Sequence, residues 1–345
     1  MPVAAVLIFA FGDSGDIWEH LVKTSLFGYV KTTLWLMLGV GVSVFVTGVS
    51  TAWVVTMCRF PGRKVFEWLL LLPLAMPAYV IAYAYTDFLE FAGPVQGLLR
   101  TIFGWQTARD YFFPEIRSLG GATIMMGLVL YPYVYLLARS AFLEQSVNVL
   151  EASRTLGRGP WRTFSSVSLP AARPAIAIGV SLALMETLND YGTVDFFAVY
   201  TMTAGLVDVW LGMGSLAGGA QIATTMLIFV VILVTLERYS RRRQQQYAAR
   251  DNRDPIHRFT MSFPRQMICV VVCAVPLIFG FIIPGATLGY YAWEYFDVSW
   301  NPDFIQNAFN SLFLSSAAAL TTLIIGVTLA YSRRLHNTRG MQILM

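Results

Sequence analysis

The chain has 345 residues, enough for two or three soluble domains, but 56% of them are hydrophobic and only 13% charged, which excludes an ordinary water-soluble globule and points to lipid as the solvent. Its formal charge of +4 identifies no partner until the distribution of that charge is read. Cys58, Cys269 and Cys273 all lie in or beside apolar runs, so neither a disulfide framework nor a zinc pattern is supported.

In chain order, residues 2–11 form an apolar run too short to cross a bilayer as a helix, and no basic segment precedes it as in a signal peptide. Spans are expected at 30–57, 68–87, 119–138, 174–193, 218–236, 266–283 and 307–331. Each is long enough to cross roughly 30 Å of hydrocarbon. The runs are continuous and rich in Leu, Val, Ala and Gly, which suits helices and not the short alternating strands of a barrel. The expected fold is therefore all-α, a polytopic integral membrane protein. Pro73 and Pro77 are expected to kink the second span rather than to gate it. Cys269 and Cys273, four residues apart in the sixth span, are expected to pack as apolar groups.

If the spans alternate in direction, 19 of the 24 Lys and Arg residues fall on one side, among them Arg59, Arg63, Arg139, Arg162, Arg173 and the tract from Arg238 to Arg243. The other side keeps Lys23, Lys31, Arg100, Arg109 and Arg117 together with most of the acids, including Asp87, Asp110, Asp190, Asp195 and Asp208. By the positive-inside rule the basic side is cytoplasmic. The Arg238 to Arg243 tract directly follows a span, so it reads as an anchor at membrane lipid, and no nucleic-acid partner is expected.

The chain also resembles itself. Lys31 to Gly62 aligns with Phe309 to Gly340 at an offset of 278 positions, placing Gly48 on Gly326, Val49 on Val327, Ala52 on Ala330 and Gly62 on Gly340. The two copies keep one orientation, a parallel repeat. The expected organisation is a first transmembrane unit at 1–236, a basic linker at 237–265 and the beginning of a second unit at 266–345, with a further elbow expected beyond Met345.

Between the third and fourth spans, on the basic side, residues 144–170 contain a helix-turn-helix pattern. Residues 142–156 favour a short helix, Gly157 and Gly159 supply the turn, Pro160 suits the first position of the next helix, and Leu169-Pro170 opens the approach to the fourth span. Small Ala152 and Ser153 allow close approach of another protein, and Glu151 offers a carboxylate to a basic partner. A plain connector is the bland alternative.

The spacing Glu151-Ala152-Ser153, three residues, Gly157, nine residues, Val167, one residue, Leu169-Pro170 resembles the EAA loop of ABC importer permeases, with Ser153 where that pattern has Ala. The resemblance implies a type I ABC importer permease bundle (MetI-like) in a bacterial inner membrane. It further implies that Glu151 to Gly157 form the helix docking on a separate ATP-binding subunit, in two copies per transporter, and that a periplasmic substrate-binding protein delivers the cargo. The strings Phe11-Gly-Asp-Ser-Gly-Asp, Asp87-Phe-Leu-Glu-Phe-Ala-Gly-Pro, Leu130-Tyr-Pro-Tyr-Val-Tyr and Glu186-Thr-Leu-Asn-Asp-Tyr-Gly look like the fused ferric iron permeases. Thiamine, sulfate, polyamine and phosphonate permeases share the architecture and stay open as alternatives.

No Gly-x-x-x-x-Gly-Lys-Ser/Thr loop occurs, so ATP hydrolysis is assigned to the partner and the chain itself is not expected to be an enzyme. No cofactor or metal site is expected, since His20, His257 and His336 are far apart in sequence. Glu186 and Asp190, at i and i+4 on the fourth span with Asn189 beside them, are candidates for the translocation path because carboxylates are expensive in lipid. Interhelical hydrogen bonding, or a place among the outer headgroups, is the competing reading. Asp87 and Glu90 are read as solvated ends of the second span. A secondary transporter is the rival class, but it leaves the elbow spacing unexplained.

Overall fold

In the computed structural model, residues 2–145, 151, 153, 155–157, 159–244 and 258–335 are described. Their regular elements are all helices, and one isolated bridge between Cys58 and Phe259 is the only β-type pairing among them. The chain divides into two compact units, Met1–Thr287 and Leu288–Met345.

Helix α1 (Pro2–Ala10) is the short apolar run, and Gln221 Nε2 donates to its last carbonyl, Ala10 O, at 3.2 Å. After α2 (Ile17–Thr24) comes the first span, α3 (Leu26–Met57). The third span is α7 (Leu119–Leu143), and α3 and α7 meet through small residues. A Cβ placed on Gly48 would lie 2.7 Å from Val134 Cβ and 2.9 Å from Tyr131 O, so only glycine lets these backbones approach so closely.

The second span departs from expectation. Instead of a kinked crossing at 68–87, the chain forms α4 (Arg63–Leu69), a 3₁₀ turn (Leu72–Ala75), α5 (Ala78–Leu89) and α6 (Pro94–Phe103). The stretches Arg63–Ala75 and Ala78–Phe103 are bent by 91°. Met76 is extended (φ −112°, ψ 132°), as the residue before a proline prefers. The tightening to a 3₁₀ turn sends the Leu71 and Leu74 amides to Trp68 O and Leu71 O. Tyr135 OH donates to Glu67 O at 3.0 Å and Tyr131 OH to Leu70 O at 2.9 Å, so α7 satisfies carbonyls that a straight helix would have paired internally.

The fourth span also begins earlier than residue 174. Helix α8 (Pro160–Thr163), a π turn (Phe164–Ser168) and α9 (Leu169–Asn189) form one unbroken run, Trp161–Asn189. Leu169-Pro170 therefore sits inside the span and does not open it. The π turn, in which Leu169 N donates to Phe164 O, widens the backbone where the Pro170 ring would crowd the carbonyl four residues back.

Short helices α10 (Tyr191–Phe196) and α11 (Met202–Val207) and a π turn (Asp208–Gly212) lead to α12 (Leu216–Gln244), the fifth span, which extends into the stretch expected as linker. Helix α13 (Phe263–Leu277), a π turn (Ile278–Ile282) and α14 (Ile283–Glu294) make the sixth span, longer than the expected 266–283. Pro284 follows this π turn as Pro170 follows the earlier one. Within the first unit, Gly280 faces Leu128 O at 2.8 Å from a would-be Cβ, so the sixth span packs on α7. Cys58, Cys269 and Cys273 are buried in the same core, the apolar packing expected of them. In the second unit, α15 (Phe296–Ser299) precedes α16 (Pro302–Leu335), the last span, which holds the second repeat copy up to its described end and is solvent-exposed along its apolar stretch.

Candidate functional site

At the basic end of the first unit, residues 151, 153 and 155 are helical and Gly157 turns the chain with φ +74°, a left-handed conformation natural to glycine. Gly159 O accepts from Thr163 N at 3.0 Å, starting the next helix at Pro160 as expected. Ser153 Oγ and Thr163 Oγ1, both buried, are 3.0 Å apart and close the elbow across ten residues of sequence. Glu151 and Gly157 are exposed, and so are two large apolar residues, Leu156 and Trp161. Ala152, Arg154 and Arg158 lie outside the described residues.

Beneath the elbow is an aromatic foot. The Trp53 ring of α3 sits 5.6 Å from Phe142 of α7 and 5.0 Å from Phe164 of the π turn, with Phe259 at 6.4 Å. Gln145 Nε2 also donates to Ser168 O at 2.9 Å. The ends of three spans and the chain around residue 259 are thus clamped to the base of the elbow. Backbone pairing completes it: Phe259 N donates to Met57 O at 2.8 Å and Arg59 N to Phe259 O at 3.1 Å. Glu67 bridges Arg63, at 3.4 Å, and Arg139, tying α4 to α7 at the same end. Leu169 lines a cleft of about 460 Å³ with Phe45, Arg173, Val180 and Leu233.

Since the run from Trp161 to Asn189 is unbroken, the elbow is joined by one helix to the acidic end. There Glu186 and Asn189 are exposed. Asp190 lies beyond the last helical residue and caps α10: its Oδ1 accepts from Thr193 N at 2.8 Å and its Oδ2 from Thr193 Oγ1 at 2.6 Å. The expected i, i+4 pair on one helix face is therefore split, with Glu186 on the helix and Asp190 in the cap. Around them stand tyrosines that sequence reasoning missed. Tyr133 is within electrostatic range of Glu186, Tyr191 is within that of Asp195, and Tyr79 packs on Gly192. Glu90, read as solvated, pairs with Arg117 at 2.9 Å, and Arg117 also stacks over Phe196 at 4.9 Å. Among the described residues no group of three or more His, Cys, Asp or Glu could hold a metal ion.

Leu156 and Trp161 had a sequence signal, since large apolar residues in a polar loop call for a partner. Trp53 had none, because an aromatic within an apolar span looks like any other core residue.

The family described as "Binding-protein-dependent transport system inner membrane component" matches residues 44–246, more than half of the chain and the whole elbow. Among curated relatives, the molybdenum transport system permease protein ModB of Escherichia coli is 25% identical over 209 residues, covering 59% of this chain and 88% of that protein. The sulfate transport system permease protein CysT of the same organism is 27% identical over 199 residues, covering 57% and 69%. Among solved structures, a chain of a bacterial alginate ABC transporter in complex with an alginate-bound periplasmic protein superposes with a TM-score of 0.55 at 16% identity, over 71% of this chain and 88% of that one.

Proposed function

This chain belongs to the family of binding-protein-dependent transport system inner membrane components and is a multi-pass permease subunit of an ABC importer, and we propose that its elbow at 151–163 is the joint through which a separate ATPase drives it. The observation that carries this reading is the construction of the elbow: a buried Ser153–Thr163 contact joins its two arms and Gly157 turns the chain with a left-handed φ, while Glu151, Leu156 and Trp161 are exposed. Its base is the start of the helix that ends at Asn189. Pushing on the elbow moves that helix as a body, because an unbroken helix transmits displacement along its axis whereas a broken one absorbs it.

By the positive-inside rule the elbow is cytoplasmic, where ATP is available. Two ATPase copies, one per permease unit, follow from the parallel repeat, with 1–236 as the first unit, 237–265 as linker and 266–345 in the second. A periplasmic binding protein delivers cargo to the acidic end. Glu186, Asn189 and Asp190 are proposed to lie along the path.

The proposed cargo is ferric iron. Its support is the resemblance of the strings around Asp87, Leu130 and Glu186 to ferric iron permeases, together with the oxygen donors at the acidic end, where Glu186 is exposed. Carboxylates and phenols are hard oxygen donors suited to a hard cation, and exposed carboxylates repel dianions. The names of the curated relatives favour a second reading, a tetrahedral oxyanion such as molybdate or sulfate. Uptake of radiolabelled iron and of molybdate and sulfate by a deletion strain, with and without the restored gene, separates the two. Gene-dependent iron uptake is expected, and gene-dependent uptake of an oxyanion alone rejects the iron reading.

A further inference from the structure

Helix α6 (Pro94–Phe103) is turned inside out relative to a helix of a soluble protein. Its polar residues are the ones the fold consumes. Gln96 is 7% exposed; its Nε2 donates to Leu89 O at 2.7 Å and its Oε1 accepts from Tyr111 OH at 2.5 Å. Arg100 Nη1 donates to Phe91 O at 2.6 Å, and its guanidinium lies 4.0 Å over the Phe91 ring. On the other face Leu98 and Ile102 are each more than 60% exposed. At the end of the helix an aromatic stack runs back to the Gln96 side, Phe103 on Trp105 and Trp105 on Tyr111, both at 4.7 Å between ring centres.

The orientation of the helix follows from its neighbours. As the chain runs from Glu67 to Leu70 to Pro73, its partners run from Tyr135 to Tyr131 to the Leu128 region, so this stretch lies antiparallel along α7, a membrane-spanning helix. The 91° bend that follows turns Ala78–Phe103 crosswise to it. The chain rises again only at α7, whose start is tied back to the end of α5 by Arg117 and Glu90.

We infer that α6 lies in the membrane–water interface on the acidic side, with Leu98 and Ile102 inserted among the lipid acyl chains. A crosswise helix with a bare apolar face and satisfied polar groups is the arrangement of an interfacial helix. Stacked Trp105 and Tyr111 at its end belong to the aromatic belt where rings meet headgroups. Thr107, Arg109 and Asp110 follow in an exposed loop that faces water, with Asp110 Oδ2 accepting from the Thr107 and Gln106 amides at 2.7 Å and 2.8 Å.

Nitroxide labels on Ile102→Cys, Leu98→Cys and Thr107→Cys test this in the full-length protein reconstituted into phosphatidylethanolamine–phosphatidylglycerol vesicles. The described native cysteines are buried, and the unlabelled parent protein sets the background. Collision with oxygen is expected to exceed collision with a water-soluble nickel chelate several-fold at 98 and 102, and the order is expected to reverse at 107. Leu98→Cys reads the same face if Ile102→Cys does not insert. Chelate access equal to or above oxygen access at both sites overturns the inference. Shielding of both sites from both colliders only after purified periplasmic binding protein is added also overturns it, and makes the face a protein dock.

Discussion

The second and fourth spans each carry two prolines and come out differently. Pro73 and Pro77 flank a 91° break, whereas Pro170 and Pro174 lie in a run that stays helical from 161 to 189. A proline removes one amide donor and crowds the carbonyl four residues back in either place. At Pro170 the chain answers with a π turn, and Leu169 keeps helical angles (φ −64°, ψ −46°). At Pro77 the preceding residue swings out, and tyrosine hydroxyls from α7 take over two carbonyls of the segment before it. The outcome is set by what the neighbouring helix offers, since in lipid no water can satisfy a freed backbone group. The break permits a lateral segment at the acidic end, and the continuity permits a lever between the elbow and that same end.

The lever side of this contrast predicts the largest effect. Gly157→Pro cannot adopt φ +74° and Glu151→Lys reverses the exposed charge, so either is expected to abolish uptake while membrane abundance of the protein stays unchanged. Uptake at the parent rate in both variants would reduce the elbow to a connector.

On the broken side, Tyr131→Phe or Tyr135→Phe leaves a carbonyl of the bent segment unpaired. Each is expected to destabilise the protein by about 1–3 kcal/mol, the usual penalty for an orphaned buried polar group. Thermal denaturation in detergent measures it, and melting temperatures matching the parent would mean that the bend holds itself without α7.

Ser153→Ala restores the residue usual in the EAA pattern and deletes the contact to Thr163. The expected loss is about 0.5–1.5 kcal/mol, with transport largely kept. A loss of uptake comparable to Gly157→Pro would show that the hydroxyl pair, and not the turn, governs the joint.

The smallest effect concerns the loop after α6. The amides of Thr107 and Gln106 hold the Asp110 carboxyl below its ordinary value of 3.8. A depressed carboxylate contributes order that is present above the ordinary pKa and lost as pH falls through the lowered one. Protection of the amides at residues 106 and 107, their exchange rate relative to that of an unstructured amide at the same pH, is therefore expected to be constant from neutral pH down to about the ordinary carboxylate range and to fall only below it. The same profile in Asp110→Asn would break that assignment.

Much of this was legible in the chain itself. The spans at 30–57, 119–138, 218–236 and 307–331 follow from length and hydropathy, and the structure mainly lengthens them. Gly157 was readable because a glycine between a helical stretch and a proline marks a left-handed turn, and Pro160 because proline favours the first helical position. The cap by Asp190 was readable too, as an Asp three residues before Thr193, but the pull of an i, i+4 acidic pair hid it.

The order of residues along the chain determined which segments enter the membrane, which end is basic, where the elbow turns and which family pattern it carries, because each depends on residue types and their spacing and on no contact between distant segments. Only the tertiary structure decided that the second span breaks and the fourth does not, that Ser153 meets Thr163, that Trp53 roots the elbow, and that α6 turns its apolar face outward. Those outcomes depend on donors and surfaces supplied by other helices, from Tyr131 and Tyr135 on α7 to Phe259 two hundred residues downstream of Trp53.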